Sequence, residues 1–207
     1  TWVESFKRLG SSNVQLITNG FDEDDFVEEE KKNDNFVIGH FGLLNHLRNP
    51  KNLWKVLNDI CEEDPEFKDK LEIRLSGNID TEVLQSITQN FHLKNKVVHL
   101  DYLSHKEVLN QYCQSSVLLL LLFNSKSGKG NYPGKIFEYF AAKRSILSFG
   151  PDESDIKNLI EKTKSGLYIP YNKVNIKEIV YQLYTGNIKT ISSDDLSQFK
   201  RSILTKQ

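Results

Sequence analysis

The chain of 207 residues contains no methionine, two cysteines, five prolines and a near-balance of charge, with 27 Lys and Arg against 28 Asp and Glu. Each scarcity excludes something. A formal net charge of −1 removes the basic face on which general nucleic-acid binding relies. Cys61 and Cys113 stand apart, and the five histidines form no HExxH-type cluster, so no metal site is expected. Both cysteines fall in segments patterned as helices, and reduced, buried thiols in a cytoplasmic protein are expected. The longest apolar run, Val117 to Phe123, is too short to cross a bilayer, and no signal-peptide pattern is visible. The absence of methionine and the start at Thr1 raise the expectation of a piece of a longer protein. The amphipathic stretch Thr1 to Gly10 lacks an obvious partner, which points the same way.

What is present is length enough for one large domain and a repeated pattern. Asn13 to Thr18 alternates like a strand and ends at the turn signal Asn19-Gly20. A charged, turn-rich run follows through Asp22 to Asp25 and Glu28 to Glu30, the best candidate for a linker. From Phe36 the chain alternates short apolar runs with helical periodicity. The expected strands are Phe36 to Phe41, Leu71 to Leu75, Lys96 to Leu100, Val117 to Phe123, Ser145 to Phe149 and Leu167 to Ile169. The expected helices are Pro50 to Cys61, Thr81 to Phe91, His105 to Cys113 with Ser104 as its cap, Asp152 to Lys162, Ile176 to Tyr184 and Leu196 to Leu204. The unbroken Val117 to Phe123 run reads as a strand buried on both faces. Six such units predict an α/β fold, a doubly wound, Rossmann-like parallel sheet of about six strands with helices on both faces. The reading divides the chain into a leading segment over 1–34, a central domain over 35–190 and a terminal helix over 191–207.

Ligands of such sheets bind at the carboxyl ends of the strands, so the loops there carry the chemistry. One stretch stands out, Asn131 to Pro151, N-Y-P-G-K-I-F-E-Y-F-A-A-K-R-S-I-L-S-F-G-P. Pro133 suits a first helical turn, and Gly134 permits close approach to the backbone. Free amides at Gly134, Lys135 and Ile136, with the lysine, suit an anion, most often a phosphate. Ile136, Phe137, Phe140 and Ala141 form an apolar face that leaves Glu138 to point elsewhere, where a carboxylate would accept sugar hydroxyls. Glu138 reads equally well as a partner of Lys135 or of the helix dipole. His40 and His46 read as loop or packing residues. The loop N-S-K-S-G-K-G-N-Y-P-G-K (Asn124 to Lys135) fails as a Walker A loop, since three residues separate Gly130 from Gly134 and Ile136 follows the lysine.

Together these residues resemble the C-terminal half of a retaining GT-B glycosyltransferase of the group 1, or family 4-like, kind. I-T-N-G-F-D-E-D-D-F (Ile17 to Phe26) is similar to the segment that enters the second domain. F-V-I-G-H-F-G-L-L (Phe36 to Leu44), followed by R-N-P, is similar to the first-strand glycine loop and its basic residue. R-L-S-G (Arg74 to Gly77) and H-L-D-Y-L-S-H-K-E-V (His99 to Val108) match the next two strand-loop pieces. P-G-K-I-F-E-Y-F-A-A-K-R-S-I-L (Pro133 to Leu147) resembles the donor-binding signature most specifically. The likeness covers nearly the whole chain.

The resemblance implies a nucleotide-diphosphate sugar as substrate, of UDP or GDP type, with no cofactor and no metal. Glu138 would hold the ribose hydroxyls. The amides of Gly134, Lys135, Ile136 and Phe137 would hold the diphosphate, with Arg48 and Lys51 adding charge beside the Gly39 loop. Tyr102 and Leu103 would contact the base. Where the family carries a first glutamate separated from the second by seven residues, this chain has Gly130, so Lys129 or Asn131 is expected to meet the sugar. The implied role is sugar transfer with retention in bacterial polysaccharide or glycoconjugate synthesis, in the cytoplasm or at the inner face of the membrane. The expected partners are the nucleotide-sugar and an N-terminal acceptor domain, through which any peripheral membrane association would run. This chain alone is expected to bind nucleotide without turnover. The catalytic residues, base, sugar and acceptor stay open, and the alternatives are a sugar-nucleotide epimerase of the same architecture and a non-catalytic interaction module.

Overall fold

The computed structural model describes residues 2–26, 34–125, 128–188 and 196–206. Six parallel strands form one sheet: β1 (Phe36–Phe41), β2 (Leu71–Ser76), β3 (Val97–Leu100), β4 (Val117–Leu121), β5 (Ser145–Gly150) and β6 (Gly166–Pro170). They lie in the order β3-β2-β1-β4-β5-β6, so the direction of winding reverses between β1 and β4. The helices are α1 (Trp2–Arg8), α2 (Lys51–Glu63), α3 (Pro65–Lys70), α4 (Thr81–Thr88), α5 (His105–Gln114), α6 (Lys135–Ala142), α7 (Asp155–Thr163), α8 (Lys177–Tyr184) and α9 (Arg201–Leu204).

The sheet is covered on both faces because its central strands are apolar throughout. Every residue of β1 and of β4 is buried, which an antiparallel sheet with one wet face would not require. On one face Leu53, Trp54, Leu57 and Ile60 of α2 and Val180 of α8 pack with Ile38, Ile73, Leu119 and Leu147. On the other, Leu109 and Tyr112 of α5, Phe137 and Phe140 of α6 and Ile156 and Ile160 of α7 pack with Leu118, Leu120 and Ile146. The α5 start is a full capping box: Glu107 N donates to Ser104 Oγ, and Ser104 N donates to Glu107 at 2.7 Å.

Three expectations change. Asn13 to Thr18 forms no strand. Among the described residues no strand pairs with it, and Leu16 and Ile17 remain 59% and 55% exposed, so alternation alone did not make a strand. The terminal helix is broken by extended backbone at Lys200 (φ −67°, ψ 133°) into a 3₁₀ turn, Ser197–Phe199, and α9. α3 is an addition to the expected helices, although Asp64-Pro65 is a helix-start signal; Asp64 Oδ1 accepts from Phe67 N at 2.9 Å. The run Glu28 to Glu30 lies outside the described residues.

The leading and trailing segments meet beside α6. Phe21 N donates to Phe199 O at 3.0 Å and Arg201 N to Phe21 O at 2.9 Å, while the Phe199 ring lies 5.5 Å from Phe137 and 5.4 Å from Phe140. This junction fixes Asn19 and Gly20 near the start of α6.

Leu57 is fully buried between α2 and the sheet. Leu57→Ala is expected to lower the unfolding free energy by about 3 kcal/mol, the usual cost of a core leucine and its cavity. A urea titration by circular dichroism with unchanged slope checks it.

Candidate functional site

β1 and β4 are in register only at Ile38↔Val117 and Gly39↔Leu118. The ladder ends there, at the reversal of winding between β1 and β4, and doubly wound sheets hold their ligands in the cleft beyond the strand ends at such a reversal. The loop after β1 runs from Gly42 through a 3₁₀ turn, His46–Arg48, into α2. The loop after β4 leads into α6, whose first turn points at the same cleft.

Lys135, the first residue of α6, reaches across and donates its ammonium to Phe41 O at the end of β1. A β-carbon at Gly42 would collide with that ammonium, so the glycine leaves the space that the lysine uses. Gly77, at φ +107°, lies against the same loop; a β-carbon there would stand 2.7 Å from Gly42 O. Burial holds the Lys135 pKa below its ordinary value, with Glu138 opposing that effect and Arg48 adding to it.

The Arg48 guanidinium lies 3.9 Å from the centre of the Phe123 ring, a cation–π contact. Its Nε is shielded from solvent without a hydrogen bond among the described residues. Burial lowers the Arg48 pKa too. Two cations are thus partly desolvated near one another, with the Glu138 carboxylate opposing the effect at Lys135, and burying charge is costly unless it is compensated.

At the α6 tip, Ile136 N donates to Pro133 O and Phe137 N to Gly134 O, both at 3.1 Å. These two amides, expected to face a diphosphate, are therefore engaged in the first turn. Among the described residues the amides of Gly134 and Lys135 make no hydrogen bond. Asn19 closes over this tip: a β-carbon at Gly134 would stand 3.3 Å from Asn19 Nδ2. Glu138, one turn in, accepts from Tyr112 Oη at 3.2 Å. Burial, then Tyr139 and the Glu138 carboxylate, push the Tyr112 hydroxyl far above its ordinary value, so it stays a proton donor to Glu138.

The other sequence-derived residues scatter. Gly39 is a buried mid-strand residue whose missing β-carbon spares contact with Ser115 and Phe41; it does not reach the loop. Lys51 is exposed at the first position of α2. Tyr102 is 94% exposed and Leu103 half-buried, both in the loop after β3. Asn131 is half-buried in the loop before α6. Gly130 lines a separate cleft of about 570 Å³ with Ser5, Lys129, Ser154, Asp155 and Asn158, and Lys129 is drawn to Glu153 at 2.7 Å.

His40 is a packing residue, as its place in an apolar run suggests, but its surroundings are unusual. It is 4% exposed, with Nδ1 3.2 Å from Leu119 O and Nε2 3.2 Å from Leu43 O. Burial, then the Lys135 charge, pull its pKa down to about 4, with the two carbonyls opposing and Arg48 adding to the fall. Sequence reasoning misses two further residues here, Asn19 and Tyr171, whose hydroxyl donates to Leu122 O at 2.9 Å. A turn signal and an isolated tyrosine carry no hint of which loop they will meet. Among the described residues no group of His, Cys, Asp and Glu could hold a metal ion, and no helix is long and apolar enough to cross a membrane.

No protein-family model matches the sequence, and no curated protein matches it. Solved structures do. Sucrose-phosphate synthase from Thermosynechococcus elongatus superposes with a TM-score of 0.72 at 13% identity, over 98% of this chain and 54% of that one. A mutant of S. aureus TarM, in complex with fondaparinux, alpha-GlcNAc-glycerol and UDP, gives 0.64 at 13% identity, over 98% and 37%. The C-terminal domain of the glycosyl transferase group 1 family protein LpcC from Francisella tularensis gives 0.61 at 14% identity, over 91% and 98%. The fold is that of the C-terminal half of GT-B glycosyltransferases. The chain spans about half or less of the longer proteins it matches, and nearly all of the isolated C-terminal domain.

The neutral, buried His40 makes stability depend on pH. Its folded pKa, about 4, lies below the ordinary 6.5, so the unfolded chain binds more protons between those values. That contribution is complete above pH 6.5 and lost as pH falls toward 4, at up to about 1.4 kcal/mol per unit. Urea unfolding at pH 7 and pH 5 is expected to show a smaller loss in His40→Gln than in the parent chain.

Proposed function

We propose that this chain is the nucleotide-sugar-binding half of a glycosyltransferase that transfers a sugar with retention. The carrying observation is the convergence of Lys135, the Arg48 guanidinium and the amides of Gly134 and Lys135 on the β1/β4 cleft, with the Glu138 carboxylate one helical turn away. A diphosphate fits the first set because two partly desolvated cations and a helix N-terminus favour concentrated negative charge. A ribose fits Glu138, whose second oxygen remains for a hydroxyl while Tyr112 fixes the first. When the sugar leaves, negative charge grows on the diphosphate, and the same groups stabilise it as it develops. The proposal includes no metal, because Arg48, Lys135 and the α6 tip supply the positive field.

The fold likeness supports this reading, since neighbours of the same fold are glycosyltransferases and one was crystallised with UDP. A GT-B enzyme works between two domains, and this chain corresponds to one, so we assign it donor binding without turnover alone. The acceptor, and the synthesis of bacterial polysaccharide or glycoconjugate at a cytoplasmic membrane face, belong to the proposal for the whole protein.

Isothermal titration with UDP, GDP, UDP-glucose and GDP-mannose tests it. At least one is expected to bind, and Lys135→Ala and Arg48→Ala are each expected to weaken it about ten- to a hundredfold, the worth of one charge-assisted hydrogen bond. Glu138→Ala is expected to weaken nucleotide while leaving inorganic pyrophosphate nearly unchanged. A folded protein that binds none of the four overturns the reading.

A further inference from the structure

His40 occupies the point where the β1/β4 ladder ends, and its geometry is at odds with its charge. Both ring nitrogens face carbonyl oxygens, Leu119 O and Leu43 O, each at 3.2 Å. A neutral imidazole has one N–H, so whichever tautomer is present, one of these contacts sets a lone pair against a lone pair. Only the imidazolium donates to both. Leu119 O already accepts from Tyr139 Oη at 3.3 Å, so it is the better supplied of the two, and the contact to Leu43 stands to gain most. Burial is the first cause that keeps the ring uncharged, and the charged groups that add to it are Lys135 from α6 and Arg48 from the 3₁₀ turn after β1. The neighbouring Tyr139 hydroxyl is held well above its ordinary pKa by burial and then by Glu138, so it stays neutral. The same two cations form the anion site.

We propose that His40 is a positioning residue that couples donor binding to proton uptake: neutral in the free protein, it takes a proton from solvent when a diphosphate occupies the cleft. This rests on the donor-binding reading above. The anion offsets the charges of Lys135 and Arg48, which removes the repulsion that adds to burial in keeping the ring uncharged. A new N–H bond then forms at the unprotonated ring nitrogen, and the imidazolium ties β4 at Leu119 to the phosphate-facing loop at Leu43. Leu44 N and O in that loop are already paired with the Asn78–Asp80 segment, Leu44 N to Asn78 O and Asp80 N to Leu44 O, both at 2.9 Å. Protonation therefore stiffens the whole set of loops on the β2 side of the cleft. Donor affinity should rise as pH falls below the ordinary histidine value of 6.5 toward about 4, by up to about tenfold per unit for a fully coupled proton.

Histidine side-chain ¹⁵N–¹H correlation spectra between about pH 7.5 and pH 3.5 test it, on three samples. UDP-glucose is the probe, because its diphosphate is esterified at both ends and does not itself titrate there. The free protein is expected to hold His40 neutral down to about pH 4. Lys135→Gln without ligand is expected to raise the midpoint, and UDP-glucose bound to the parent chain to raise it further. Titration calorimetry at about pH 5, between the free His40 value and the ordinary one, in buffers of different ionisation enthalpy should then show proton uptake in the parent chain and none in His40→Gln. A midpoint that stays in place in Lys135→Gln overturns the electrostatic coupling. A midpoint that ignores bound UDP-glucose overturns the proton uptake. Failure of UDP-glucose, UDP, GDP and GDP-mannose to bind sinks the donor reading and this one with it, while the Lys135→Gln arm still reports the coupling by itself.

Discussion

The Lys135 ammonium donates to the Phe41 carbonyl beyond the end of the β1/β4 ladder, and the rest of the site follows from that contact. The lysine comes from the helix after β4 and the carbonyl from β1, so one hydrogen bond spans the switch in winding direction. The absent side chain at Gly42 leaves the space that the ammonium takes, and Gly77 approaches closely behind it. The contact also commits a cation to a partly buried position beside Arg48, whose own Nε is shielded and unpartnered among the described residues. Desolvated like charges oppose folding. The arrangement persists because the surrounding sheet, with β1 and β4 wholly buried, over-determines it.

Glu138 shows how the core serves the site. Tyr112 belongs to the apolar cluster between α5 and α6, and its hydroxyl fixes one carboxylate oxygen. The tyrosine rings of residues 112 and 139 meet edge-on at 4.9 Å, and Phe41 packs on Tyr112 at 5.2 Å. The carboxylate, the end of β1 and the start of α6 are therefore set by one aromatic cluster. A carboxylate held this way loses little entropy on meeting a ligand.

Much of this is legible in the sequence. Strand runs such as Val117 to Leu121 and the periodicity of Leu53, Val56, Leu57 and Ile60 announce buried elements directly, because burial on one or two faces leaves its period in the chain. Lys135, Gly134 and Glu138 can be placed together because they share one short helix start. What cannot be read is the meeting of distant loops. Asn13 to Thr18 alternates like a strand yet pairs with none of the described strands, and pairing is a property of neighbours. Gly39 carries a glycine for packing inside β1, which sequence cannot tell from a glycine for ligand approach. The setting of His40 is hidden for the same reason. The carbonyls of Leu119 and Leu43 that confine it come from a strand far along the chain and from the turn beyond its own strand.

If the β1/β4 cleft is an anion site built by Lys135, Arg48 and the α6 tip, inorganic pyrophosphate should bind there without any base or sugar attached. Backbone ¹H–¹⁵N shift mapping during a pyrophosphate titration locates the anion directly. The largest saturable shifts are expected at Gly134, Lys135 and Gly42. Shifts that cluster instead at the Lys129–Asp155 cleft, or that never saturate anywhere, would contradict an anion site at β1/β4.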